Sequence, residues 1–272
     1  MKFTKMHGNG NDFIVIEDLN DNIKDEETLA KTLCDRHFGI GADGILIVKK
    51  SQKAHIQMVI INSDGSYAAM CGNGIRCFAK YVYDMGLVKQ EIILIETGDG
   101  VKNAFLTIVN GKAEGIRIKM GSPSFDAKHI PALSEEEIIN EKLKAGDKEY
   151  YITSMLMGVP HTVILGRLDD FDVQEGRIIE KHNMFPKGTN VNFCEVLNSE
   201  EIKVKTWERG AGPTLACGTG SCAAVIAANK LGFVCEKVKV WIPGGSLLIE
   251  LDKDGVYMTG PAAVVFSGEY NL

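Results

Sequence analysis

The chain has 272 residues, 45% hydrophobic and 24% charged, long enough for two domains and apolar enough for packed cores; this excludes a disordered or fibrous protein. With 36 acidic against 30 basic residues the net charge is −6, and short basic runs such as Lys49, Lys50 and Lys53 do not make a nucleic-acid footprint. No secretory core follows Met1, no apolar stretch reaches membrane-spanning length, and the odd count of 7 cysteines lacks disulfide-framework spacing, which points to a reducing, cytoplasmic setting.

In the first half, short apolar runs predict strands at Ile14–Ile16, Ile45–Val48, Ile56–Ile61, Ile92–Glu96 and Phe105–Val109. Asn110-Gly111 reads as a tight hairpin turn into a strand over Ala113–Met120. Acidic residues at its start mark a helix over Glu26–Cys34. Ile75, Phe78, Ala79 and Val82 recur at helical spacing and predict an amphipathic helix over Gly74–Met85. Ser134 and Glu137 form a capping-box pattern, which predicts a helix near Glu135–Leu143, within a polar crossover at 122–148. Further strands are predicted at Thr162–Leu165, Val191–Val196, Ile202–Thr206, Val238–Trp241, Leu247–Glu250 and Val264–Phe266. A helix over Gly220–Lys230 stops at Gly232.

One chemical pattern occurs twice. Cys71-Gly72-Asn73-Gly74 opens the first long helix and Cys217-Gly218-Thr219-Gly220 opens the second. A thiolate at a helix N-terminus is favoured by the partial positive charge there, glycines allow a tight turn, and exposed N–H groups can cradle a carboxylate. Two such thiols on opposite faces of an amino acid would invert its α-carbon without a cofactor: one removes the α-proton and the other returns one. Cys34, Cys194 and Cys235 are read as small buried hydrophobes, and so are Cys77 and Cys222 on the helix bodies. A zinc site is a poor match, because each cysteine pair is spaced wider than structural zinc favours. A thiol hydrolase with His7 or His161 as base has no use for the second motif.

Asn11 lies in a Gly- and Asn-rich stretch that could supply an amide to a ligand. Arg36–Gly44 is a site-lining loop without a phosphate-loop ending. Glu208 can accept from an ammonium, and Arg209 can hold a carboxylate bidentately. Trp207 and Trp241 are packing residues.

Met6–Phe13, Arg36–Gly44, Asn62–Ala79, Met157–His161, Thr189–Phe193 and Glu208–Ala224 together resemble the diaminopimelate epimerase family. The resemblance implies an α/β fold of two pseudo-symmetric domains, each a mixed, mostly antiparallel sheet wrapped around a central helix, with the active site in the interdomain cleft. The halves would be 1–115 plus 262–272, bearing Cys71, and 116–261, bearing Cys217. The implied activity is cofactor-independent conversion of LL- to meso-2,6-diaminopimelate, in lysine and peptidoglycan-precursor biosynthesis. Cys71 and Cys217 would be the acid/base pair. Gly72, Asn73, Gly218 and Thr219 would hold the reacting carboxylate, with His161 at the same end. Asn62, Asn190 and Arg209 would secure the distal carboxylate, Glu208 would face the distal ammonium, and Asn11 would complete the wall. The expected partner is a small zwitterionic amino acid, with no cofactor, metal, nucleic acid or membrane; a homodimer is one admissible assembly. Val159 departs from the family, where many members carry Asn, so a related racemase acting on another amino acid, such as histidine, is the neighbouring alternative. A nonenzymatic amino-acid binding module would need neither thiol.

Overall fold

The computed structural model describes residues 1–271, in two compact units: Met1–Lys119 with Thr259 onward, and Met120–Met258. The first contains β1 (Lys2–Gly8), β2 (Asn11–Glu17), α1 (Glu26–Cys34), β3 (Gly44–Lys49), β4 (Ile56–Asn62), β5 (Tyr67–Ala68), α2 (Gly72–Asp84), β6 (Ile92–Thr97), β7 (Gly100–Val109) and β8 (Lys112–Gly121). The second contains β9 (Glu141–Ala145), β10 (Lys148–Met157), β11 (Val159–Leu165), α3 (Gly176–Glu180), β12 (Asn190–Asn198), β13 (Glu201–Glu208), β14 (Gly212–Thr214), α4 (Gly218–Lys230), β15 (Lys237–Ile242), β16 (Gly245–Asp252) and β17 (Gly255–Gly260). β8 and β17 each end across the boundary, at Gly121 and Gly260, and the first unit is completed by β18 (Ala263–Glu269).

The first sheet runs β18-β1-β2-β3-β4-β6-β7-β8. Its β2–β3 and β4–β6 pairs are parallel and the rest antiparallel. The second runs β9-β10-β11-β12-β13-β15-β16, with β11–β12 and β13–β15 parallel and the rest antiparallel. The two units therefore repeat one topology, and β5 and β14 occupy matching places just before α2 and α4.

The sequence explains why each sheet wraps a helix. In β3, Ile45 and Ile47 pack with Leu29 and Leu33 of α1, whereas Leu46 lies against Gly74 of α2. Both faces are covered, so the strand reads as an unbroken apolar run. Every residue of α2 from Gly72 to Val82 is buried, Arg76 and Lys80 included, so the helix is amphipathic in sequence but enclosed on its polar face as well. Lys80 is accommodated by the Ala113 carbonyl and by Asp84 at 3.1 Å. In α4, Gly218 and Gly220–Ala228 are all buried, and the helix packs against β10, β11, β12 and β16. Its alanines keep it thin enough to approach those strands.

The predicted helix near Glu135–Leu143 does not form. Ser134 makes only a local bend, accepting from Glu136 N at 3.3 Å, and Glu141–Ala145 is strand β9. Leu143 and Ala145 alternate inward, and Gly146, at φ +63°, turns the chain into β10. Period-two burial and a turn glycine outweigh the cap pattern. Cys235, expected to be buried, is exposed in the segment that leads from α4 to β15, whereas Cys34, Cys77, Cys194 and Cys222 are buried. Among the described residues no helix is long and apolar enough to cross a membrane.

The enclosure of α4 gives a direct test. Ala224 is wholly buried, so Ala224→Leu should overpack the second unit and cost about 1–3 kcal/mol. Thermal unfolding should show a fall of several degrees; an unchanged melting temperature would mean that the helix has slack around it.

Candidate active site

Each long helix begins with a cysteine in extended conformation, Cys71 at φ −144° and Cys217 at φ −120°. The first N–H groups of a helix lack intrahelical partners, and here sulfur takes the place usually filled by a serine or aspartate oxygen. Cys71 Sγ accepts from Gly74 N at 3.4 Å, and Cys217 Sγ accepts from Gly220 N at 3.3 Å. The first intrahelical bonds run from Ile75 N to Cys71 O and from Ser221 N to Cys217 O. The N–H groups of Gly72, Asn73, Gly218 and Thr219 thus come ahead of the helical ladder, beside the two sulfurs.

The glycines serve closeness and not a turn: none of Gly72, Gly74, Gly218 and Gly220 has a positive φ. A Cβ on Gly220 would overlap Asn192 Oδ1 and stand 3.0 Å from Cys217 Sγ. One on Gly74 would lie 3.2 Å from Leu46 and 3.4 Å from the Cys71 Cβ.

In the first unit, Asn11 links the pieces. Its Oδ1 lies 3.7 Å from Cys71 Sγ, which donates, and accepts from Asn73 Nδ2 at 3.2 Å. Its Nδ2 donates to Asp43 Oδ2 at 2.6 Å. Asn62 stands opposite Gly44 in the β3–β4 register, next to Asp43, and its Nδ2 donates to Ser66 Oγ at 3.0 Å. The loop read from Arg36 to Gly44 wraps these groups: Arg36 bridges Asp12 and Asp43, each at 2.8 Å, and Lys5 reaches Asp12 at 2.6 Å. Burial pushes the Asp12 carboxyl up, but the hydrogen bonds from Arg36 and Lys5 outweigh it and hold the group down at about 2.

In the second unit, Glu208 closes β13 and accepts from Thr214 Oγ1 at 2.8 Å. Thr219 Oγ1 lies 3.7 Å from Cys217 Sγ. Burial first, and then the Glu208 charge, push the Cys217 thiol well above its ordinary range; the Thr219 hydroxyl and the Gly220 N–H oppose them. The balance favours the neutral thiol at Cys217.

His161 lies beside this group on β11, fully buried. Asn192 Oδ1 accepts from Thr206 Oγ1 at 3.1 Å, so Asn192 turns its Nδ2 toward His161 Nδ1, at 3.2 Å. With Nδ1 accepting, the ring proton sits on Nε2. Nε2 has no hydrogen-bond partner among the described residues. Burial, helped by the Arg209 charge, lowers the imidazole to about 3. The imidazole is neutral, with its N–H on the Nε2 side.

Asn190 is opposite His161 in the β11–β12 register. Both ends of its amide meet main chain: Nδ2 donates to Pro160 O at 3.0 Å, and Oδ1 accepts from Arg209 N at 2.8 Å. It braces Arg209, whose exposed side chain donates to Lys187 O at 2.8 Å. Val159 is 37% exposed, and its side chain offers no polar atom.

Cys71, Gly72, Asn73, Asn11 and Asn62 are thus grouped in one unit, and Cys217, Gly218, Thr219, Glu208, His161, Asn190 and Arg209 in the other. Asp43, Asn192 and Thr214 lie within stretches that the sequence singles out, but it gives none of them a role of its own. Asn192 had a signal, a polar residue sharing the inward face of β12 with Asn190.

The sequence model of the family described as diaminopimelate epimerase matches residues 3–125 and 153–265. The chain belongs to the diaminopimelate epimerase family. It is 59% identical to the diaminopimelate epimerase of Clostridium perfringens over 271 residues, 99% of both chains. It is 50% identical to that of Alkaliphilus metalliredigens, over 99% of this chain and 97% of that one. A probable proline racemase from Agrobacterium radiobacter shares the fold at TM-score 0.73 and 17% identity, over 100% of this chain and 93% of that one. A phenazine biosynthesis protein of the PhzF family from Bacillus anthracis does so at TM-score 0.71 and 14% identity, over 100% and 99%. The family's two pseudo-symmetric α/β halves are those described above.

Two measurements check this geometry. Gly220→Ala should displace Cys217 Sγ or Asn192 and cut turnover at least about 100-fold, the range of a misplaced proton-transfer group; near-normal turnover would mean the helix start tolerates a methyl. His161 has a folded-state value of about 3 against 6.5 unfolded. Between those pH values the unfolded chain binds the extra proton, so stability is full above about 6.5 and falls as the pH drops toward 3. The slope is about 1.4 kcal/mol per pH unit. His161→Gln should flatten denaturant-measured stability between pH 6.5 and 5, where the lowered carboxylates do not yet titrate.

Proposed function

We propose that the protein epimerises LL-2,6-diaminopimelate to the meso isomer by a two-thiol mechanism, in lysine and peptidoglycan-precursor biosynthesis. The observation that carries this reading is the pair of matched helix starts, each capped by a cysteine sulfur next to backbone N–H groups. In the reaction one sulfur, as thiolate, takes the α-proton; the electron pair left on carbon delocalises into the bound carboxylate. The other thiol then gives its proton to the opposite face and becomes the thiolate, so atoms and charge balance. Backbone N–H groups at Gly72, Asn73, Gly218 and Thr219 suit the enolate-like carboxylate. The neutral His161 donates to an oxygen without adding a charge that would compete for the proton. Arg209 fits the distal carboxylate, with Asn190 as its brace and Asn62 as a further amide, and Glu208 fits an ammonium.

A cytoplasmic homodimer belongs to the same reading. Val264 and Phe266 on one face of β18, and Val265 on the other, are about half exposed, an apolar strand that suits a second copy. Mass in solution by sedimentation tests it, and a monomer at micromolar concentration would remove this part of the proposal.

Cys71→Ala and Cys217→Ala should each lower inversion by at least about 100-fold with the fold intact. Near-normal inversion by either variant would sink the two-thiol assignment. Arg209→Leu should reduce kcat/KM on diaminopimelate about 30-fold or more, from the loss of a charge partner. Its effect on any residual turnover of a monocarboxylic amino acid should be much smaller. Equal proportional losses would show that Arg209 supports the loop and does not read a carboxylate. A wild-type preference for histidine over diaminopimelate would move the distal assignment to the neighbouring racemase class that Val159 suggests.

A further inference from the structure

Arg76, in the motif that opens α2, is wholly buried. Its Nη1 donates to Gly72 O at 3.0 Å and its Nε to Pro261 O at 3.2 Å. Nη2 donates to Asn9 Oδ1 at 2.7 Å and to Asn73 Oδ1 at 3.0 Å. A Cβ on Gly8 would come within 3.1 Å of Nη2, so Gly8 is the gap that admits the guanidinium.

A side-chain amide can present either its oxygen or its nitrogen, and only its neighbours decide which. Here the neighbours at both ends of a two-amide chain are unambiguous. Guanidinium only donates, so Asn73 must turn Oδ1 to Arg76 and Nδ2 to Asn11. A carboxylate only accepts, so Asn11 must turn Nδ2 to Asp43, at 2.6 Å. Both constraints leave Asn11 Oδ1 facing Asn73 Nδ2 and, at 3.7 Å, the Cys71 sulfur.

We infer that Arg76 and Asp43 are positioning residues that grip the Asn73–Asn11 amide chain from opposite ends, so that Cys71 faces a carbonyl oxygen and not an amide N–H. A carbonyl accepts from the thiol and disfavours the thiolate; a turned-over amide would do the reverse. The clamp thus sets the proton affinity of Cys71 from a guanidinium that stands behind the amides. The charged groups that meet the amide chain are Arg76 on α2, which holds Asn73, and Asp43 in the loop before β3, which holds Asn11 and is tied through Arg36 to Asp12 and Lys5. The inference takes Cys71 as a proton-transfer thiol from the proposed function, but its test does not depend on turnover.

The test is a double-mutant cycle of Asp43→Ala and Arg76→Met in the full chain without substrate. The readout is the pH midpoint of Cys71 alkylation by iodoacetamide, followed by peptide mass spectrometry with Cys217 in the same digests. Charge alone makes the two shifts opposite in sign and additive. A clamp held from both ends makes them couple, because either end still holds the amide when the other is lost. The double variant should fall below the sum of the single shifts by about half a pH unit or more, about threefold in rate at fixed pH, as one hydrogen bond supports. In an Asn11→Leu background, where there is no amide to turn, the same pair should add. Additivity in both backgrounds overturns the inference, as does a matching shift at Cys217, which would indicate general loosening. If Arg76→Met does not fold, Asn73→Ala severs the same end of the chain and the same coupling is read. Loss of coupling with Cys71→Ala still inactive would remove this inference and leave the two-thiol reading standing.

Discussion

A hydrogen bond from a glycine N–H to a cysteine sulfur, made once in each unit, is the interaction on which the site depends. It satisfies a helix donor that would otherwise be unpaired, and it fixes the sulfur at the end of a helix that is itself immobilised by burial. The sheet that wraps each helix is what makes the position rigid. With α2 and α4 enclosed, neither helix start can move without shifting strands on several sides. Small residues at Gly74, Gly220 and along α4 are the condition for that closeness.

The two units repeat a topology but not an environment. Around Cys71 the neighbours are amides, aligned between a cation and a carboxylate. Around Cys217 they are a hydroxyl, a carboxylate and burial, which together favour the neutral thiol. Nearby, His161 is held uncharged by burial and the Arg209 charge. A two-thiol reaction needs its sulfurs in different protonation states at any moment. Two structurally equivalent cysteines with unlike neighbours meet that requirement more readily than two identical sites would. The Cys77 thiol, one turn into α2, shows the contrast: burial lifts it to about 12, and it serves only as core.

Much of this was legible before the fold was known, because it rests on local chemistry. Cys-Gly-x-Gly before an apolar run marks a capped, closely packed helix, and both helices begin at those motifs. Asn110-Gly111 turns the chain as a hairpin should, with both residues at positive φ. What failed was the non-local part. Ser134 and Glu137 look like a cap, yet Leu143 and Ala145 are claimed by a strand pairing with β10. Nothing in the spacing of Arg76 says that Asn9 and Pro261 will close over it. Asn190 has the residue type of a ligand contact, and nothing local announces that its amide also braces the main chain of Pro160 and Arg209. Hydrogen-bond partners far apart in sequence are set by strand register, which composition and periodicity do not encode.

The central claim is that two different sulfurs handle the proton on the two faces of the α-carbon. Single-turnover reaction of protonated LL-diaminopimelate in D2O, with substrate and product separated and analysed by mass, tests it most directly. With two thiols, the product carries solvent deuterium at the inverted carbon from the first turnover, while unreacted LL substrate keeps its hydrogen. A product that retains the substrate's own hydrogen at that carbon would mean that one group both removes and returns the proton, and would contradict the account.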